Sequence, residues 1–132
     1  MSSRDGPLFR KVDCVRVGVD DVEAGLAFYR DRLGHELKWR TATAAGLRMP
    51  DSDAEIVIDT MAPGAEPDLL VASADAAAAE IVAAGGSIVE GPFDIRIGRC
   101  VVVRDPWENV LVLLDMSKGP LATDAAGWVV EA

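Results

Sequence analysis

Histidine is almost missing from this chain: His35 is the only one in 132 residues. That excludes a multi-histidine metal cluster and leaves one imidazole for any proton transfer. Cysteine is nearly as scarce. Cys14 and Cys100 lie far apart with no CxxC or Cys/His grouping, so neither a disulfide framework nor a structural zinc site is expected, and both read as small buried hydrophobes. Basic residues are few, 13 against 22 acidic ones, giving a formal net charge of −9. Such a field repels polyanions, so no nucleic acid partner is expected. No apolar run reaches the ~18 residues of a membrane span, and Met1-Ser2-Ser3-Arg4-Asp5-Gly6 lacks a signal-peptide core. No membrane association and a cytoplasmic location are therefore expected.

What the chain does have is a core. Half of its residues are hydrophobic and 27% are charged, enough apolar surface for one self-sufficient domain rather than a disordered chain. Val12 to Val19 alternates as a strand, with Cys14, Arg16 and Gly18 on one face and Val15, Val17 and Val19 on the other. Asp20 and Glu23 have capping-box spacing, and Val22, Leu26, Tyr29 and Leu33 predict an amphipathic helix over 22–33 that stops at Gly34. The alternation of 35–43, the short Gly46–Met49 run and Ala54–Asp59 predict three further strands. Ala62-Pro63-Gly64-Ala65-Glu66-Pro67 has linker composition.

The second half repeats the first. Leu69–Val71 predicts a strand, Ser73 a cap, Ala74–Ala84 a helix and Gly85-Gly86 its stop. Strands at Ser87–Glu90, Arg99–Arg104 and Val110–Asp115 follow, separated by turns at Gly91-Pro92 and Asp105–Asn109. Placing Val19 on Val71 aligns Leu33-Gly34 with Gly85-Gly86 and Leu37 with Val89 at one constant offset. This is a duplicated βαβββ unit. The expectation is a single α+β domain over 1–132, built of modules 11–61 and 66–118 with a tail 119–132.

Three stretches carry a family likeness: Val12-Asp13-Cys14-Val15-Arg16-Val17-Gly18-Val19-Asp20-Asp21, Ala27 to Leu37, and Asp105-Pro106-Trp107-Glu108-Asn109-Val110-Leu111-Val112. Together they make the chain resemble the glyoxalase, bleomycin-resistance and extradiol-dioxygenase superfamily, the vicinal oxygen chelate proteins. The resemblance implies two modules with curved sheets around a crevice, a frequent homodimer and, in the enzymes, a divalent metal held by His and Glu. Carried onto this sequence, the ligand positions fall on Cys14, Ile56, Glu66 and Val112, with Glu55 one residue away from Ile56 and on the opposite strand face. Two of the four are aliphatic, so no metal and no other cofactor are expected.

Large aromatic surfaces supply contact area for flat ligands, which points to Trp39 on the strand after the first helix and to Trp107 in the last turn. Arg16 shares the face of Cys14, and Met49 suits a pocket wall. The expected ligand-binding set is Cys14, Arg16, Trp39, Met49, Ile56, Trp107 and Val112, with no catalytic residue; His35 reads as a polar residue at a strand start. The expected function is that of a homodimeric, bleomycin-resistance-like binding protein for a neutral or cationic aromatic small molecule. Two alternatives stand beside it: a lyase, isomerase or dioxygenase with a displaced metal site, and an interaction module using an edge strand or the tail, where Trp128-Val129-Val130 forms a small apolar plug.

Overall fold

The computed structural model describes residues 6–62 and 64–130; Met1–Asp5 and Pro63 of the expected linker lie outside them. Two compact units are present among the described residues, one made of 13–62, 64–66 and 121–130, the other of 6–12 and 67–120.

The first unit contains β1 (Lys11–Gly18, from Asp13 on), α1 (Val22–Leu26) continuing into π-helical turns (Ala27–Arg32), β2 (Leu37–Arg40), β3 (Ala44–Met49) and β4 (Ser52–Asp59). The sheet order is β2-β3-β4-β1, with β1 parallel to β4 and the other pairs antiparallel. Val22, Leu26, Ala45, Leu47 and Ile58 form the core between helix and sheet, joined by Val17, Val19, Tyr29 and Leu37. Leu26, Leu47 and Ile58 are fully buried, each contributing about 1.5–3 kcal/mol of transfer free energy.

The cap is one residue later than the capping-box spacing predicts. Asp21, not Asp20, has the extended backbone of an N-cap, and its carboxylate accepts from the Ala24 amide at 2.7 Å. Glu23 is thereby freed to pair with Arg40 at 2.8 Å. Leu33 also departs from expectation, being 53% exposed. Leu33 N donates to Phe28 O five residues back, and the wider π turn rotates Leu33 off the buried stripe that a regular 3.6-residue period would have kept it on. The expected strand over 35–43 breaks at Arg40, because the Thr41 hydroxyl accepts from the Thr43 and Ala44 amides and turns the chain back into β3.

The second unit repeats the topology with β5 (Glu66–Leu70), α2 (Ala74–Ala83), β6 (Ser87–Ile95), β7 (Gly98–Arg104) and β8 (Val110–Leu114), in the order β5-β8-β7-β6. Glu66 and Pro67, expected in a linker, open β5 instead. Gly91-Pro92, expected as a turn, lies within β6, where the register against β7 shifts twice and absorbs the irregular residues. Ser73 caps α2 as its sequence predicts, accepting from Ala76 N at 3.2 Å. Ala74, Ala77 and Ala78 bring that helix close against Val101, Val103 and Leu113.

Asp115 ties this unit together. Its side chain is 4% exposed and accepts from Ala74 N, Arg99 N, Ser117 N and the Ser117 hydroxyl at 2.7–3.2 Å. Burial pushes its carboxyl up, but the four donors outweigh that and hold it below the usual range.

Residues 121–130 of the tail pack within the first unit. Thr123 and Val129 pair across a turn held by Asp124, and Arg40 N donates to Gly127 O while Val129 N donates to Arg40 O. This short hairpin covers the outer edge of β2, an exposed row of backbone donors and acceptors otherwise open to pairing. The Trp128 ring centroid lies 4.2 Å from the Arg40 guanidinium, which also pairs with Glu23. Trp128→Ala is expected to cost about 1–2 kcal/mol, from the lost cation–π contact and apolar cover, with the urea midpoint as the measurement. No helix among the described residues is long and apolar enough to cross a membrane.

Candidate ligand-binding site on the first sheet

Strand register assigns the two faces of the first sheet. Leu47 pairs with Ile56 and Ala45 with Ile58, and Leu47, Ala45 and Ile58 all lie under the helix. Residues directly opposite on paired strands point to the same side, so Ile56 faces the helix. The helix-free face then carries Cys14 and Arg16 of β1, Glu55, Val57 and Asp59 of β4, and Gly46 and Arg48 of β3. The sequence-based placement of Ile56 on the ligand side is thus reversed: Glu55 takes that face, beside Cys14. Alternation along the strand separates Ala54, Ile56 and Ile58 from Glu55 and Asp59 but does not say which set lies away from the helix, and a count from Asp53 favours Ile56.

Trp39 pairs with Gly46 on this same face. Between Leu37 and Trp39 the register shifts by one residue, so Lys38 and Trp39 together oppose a single residue of β3. That bulge brings two consecutive side chains onto one carboxylate. Trp39 Nε1 donates to Glu55 Oε1 at 2.7 Å, and Lys38 Nζ donates to Glu55 Oε2 at 2.8 Å. The indole rests on Gly46, where any Cβ would collide with its ring and with Glu55. A cavity of about 430 Å³ opens beside the trio, lined by Lys38, Arg48, Met49, Ser52, Ala54 and Glu55 among others. Glu55 is the recessed member, with its side chain 17% exposed against 42% for Lys38.

Of the other sequence-selected residues, Cys14 is buried, and Arg16 pairs with Asp59 at 3.4 Å on the same face. Met49 lines the cavity. In the second unit, Val112 is buried with Cys100 and Leu114 on the face away from α2. Trp107 is 79% exposed in a turn that Asp105 organises, accepting from the Trp107 and Asn109 amides and the Asn109 side chain. The Asn109 side chain and amide hold the Asp105 carboxyl below its usual range. His35 Nδ1 lies 3.0 Å from Arg48 O, a strand-edge contact. Lys38, Gly46 and Glu55 are the members that sequence reading left out of the site.

The donor set can be tested against a divalent metal directly. Glu55 already receives two donors, Val112 has no donor atom, and among the described residues no three His, Cys, Asp or Glu side chains gather around one point. These residues do not fit such an ion.

Residues 11–113 match the Glyoxalase/Bleomycin resistance protein/Dioxygenase superfamily. The chain belongs to that superfamily. No curated protein sequence matches it. Among solved structures it is similar to methylmalonyl-CoA epimerase from Mycobacterium tuberculosis, at TM-score 0.70 and 18% identity, over 86% of this chain and 93% of the other. A methylmalonyl-CoA epimerase variant from Streptomyces coelicolor in complex with 2-nitronate-propionyl-CoA gives TM-score 0.68 and 18% identity, over 83% and 99%. A Legionella pneumophila structure described as an NAD-dependent benzaldehyde dehydrogenase gives 0.67 and 20%, over 79% and 98%. At these identities the likeness is one of fold: an α+β, glyoxalase-like arrangement of βαβββ modules. This superfamily member presents, on the helix-free face of its first sheet, a carboxylate held by an indole N–H and a lysine.

Proposed function

We propose that the chain is a small-molecule-binding protein of the bleomycin-resistance-like kind, acting without a metal, whose ligand rests on the helix-free face of the first sheet against Trp39 and Glu55. The observation that carries this reading is the Glu55 carboxylate, recessed beside a cavity with each oxygen fixed by a separate donor. A fixed, partly desolvated acceptor next to an aromatic ring suits recognition of a flat molecule carrying a donor or a positive charge. The net charge of −9 works in the same direction, since it concentrates cations and repels anions.

The test is a titration with neutral and cationic aromatic heterocycles, read by intrinsic fluorescence and melting temperature. Trp39→Phe is expected to remove most of the ligand-induced quench, and Glu55→Gln to weaken cationic ligands about tenfold, the loss of one charge-assisted contact. If no compound changes either signal in the unsubstituted protein, the reading is wrong.

A further inference from the structure

The Lys38–Glu55 pair has a consequence for which ligands the site takes. Lys38 Nζ sits on Glu55 Oε2 at 2.8 Å, while Trp39 independently holds Oε1. Of the three groups Lys38 is the one nearest solvent, its side chain 42% exposed on a long flexible stem, whereas the carboxylate lies beneath it at 17%. Both also line the cavity. Two further acids lie nearby: Asp53 also lines the cavity, and Asp59 pairs with Arg16 and accepts from the Met61 amide at 2.7 Å, a turn contact fixed by the backbone. Glu55 is thus a carboxylate whose cation can swing away while the Trp39 hydrogen bond keeps its geometry.

We infer that Lys38 is a built-in stand-in for the ligand, and that the site selects molecules bearing an ammonium or similar cationic group, which replaces Lys38 Nζ on Glu55 Oε2 while the aromatic part lies along Trp39 and Met49. This rests on the binding function proposed above and narrows its ligand class. A half-exposed ion pair is weakly held, so displacing it is easy, and the Trp39 hydrogen bond keeps the acceptor aimed throughout. The cationic ligand loses its advantage to the extent that Lys38 competes for the same oxygen. Removing the lysine ammonium therefore strengthens binding of cations specifically, the opposite of what loss of a contact residue does.

Lys38→Met keeps the apolar stem and removes the charge. The probes are 1-methylquinolinium and its neutral isostere 1-methylnaphthalene, titrated into both proteins by calorimetry, with the Trp39 indole N–H followed by nitrogen-15 NMR and assigned through Trp39→Phe. The expected result is tighter binding of the cation by Lys38→Met with a cation-over-neutral preference about tenfold higher than in the unsubstituted protein, and a cation-induced shift of the Trp39 signal. Equal tightening of both probes overturns the inference, because it reports a widened cavity rather than an exchanged charge. Unchanged or weaker cation binding overturns it as well, while neutral aromatic binding by the unsubstituted protein leaves the proposed function standing. Absence of binding by either probe to either protein overturns both.

Discussion

Asp115→Ala is expected to destabilise the protein by about 3 kcal/mol, roughly a 10 °C fall in melting temperature for a chain of this size. The side chain is 4% exposed and receives the Ala74, Arg99 and Ser117 amides and the Ser117 hydroxyl. Those donors come from the start of α2, from β7 and from the segment after β8. Removing the carboxylate leaves the buried Ala74 amide without its acceptor and breaks the part-buried contacts to Arg99 and Ser117, and the cost of an unmade buried bond exceeds the net worth of a made one. Gly98 reports the same crowding from the other side, since a Cβ there would strike the Asp115 carbonyl and carboxylate. The carboxylate's contribution also depends on pH with a definite sign. Burial alone would raise the Asp115 carboxyl, but its hydrogen bonds hold it below the usual carboxylate range. A group whose folded value is depressed contributes stability above its unfolded value and loses it as pH falls through the folded one. Asp115→Asn removes the titration, so its urea midpoint should lie below that of the unsubstituted protein at pH 7, with the gap narrowing as the pH is lowered through the acid range. An unchanged gap between pH 7 and pH 3 would remove Asp115 from this role.

Gly46→Ala should have the largest effect on the candidate site. The methyl group would occupy the position of the Trp39 ring edge and touch Glu55 Oε1. β3 is paired on both sides here, with Trp39 on β2 and Val57 on β4, so the backbone has little freedom to retreat and the indole must leave. The expected outcome is a loss of about 2 kcal/mol from overpacking, a displaced Trp39 indole N–H resonance, and loss of ligand-induced quenching. The double variant with Trp39→Phe separates the contact from a general strand effect. If the indole is the obstacle, the alanine costs clearly less in the phenylalanine background, a non-additivity of about 1 kcal/mol. Equal costs in the two backgrounds would place the strain in the backbone instead.

The two modules were legible from local features because those features are local in origin. The alternation of Val15, Val17 and Val19, the Ser73 cap and the glycines closing each helix act within a few residues, and their repetition exposed the duplication before any coordinate. The cap at Asp21 and the rotation of Leu33 were not legible. One depends on which of two adjacent aspartates takes the extended backbone, the other on a π turn that Phe28 and Leu33 form without a sequence signal.

The site divides in the same way. Its aromatic, arginine and methionine members, Trp39, Arg16 and Met49, could be selected by residue type and strand parity. The carboxylate could not, since a count along the chain carried Ile56 onto the ligand face, while the pairing of Leu47 with Ile56 in the sheet turns Glu55 there. A bulge between Leu37 and Trp39 then puts Lys38 and Trp39 on the same carboxylate, contrary to simple alternation. The sequence by itself determined the superfamily, the duplicated modules and the charge. Which carboxylate faces the helix-free side, and what holds it, was decided only by the tertiary structure, because strand register is a property of paired strands and cannot be read from one.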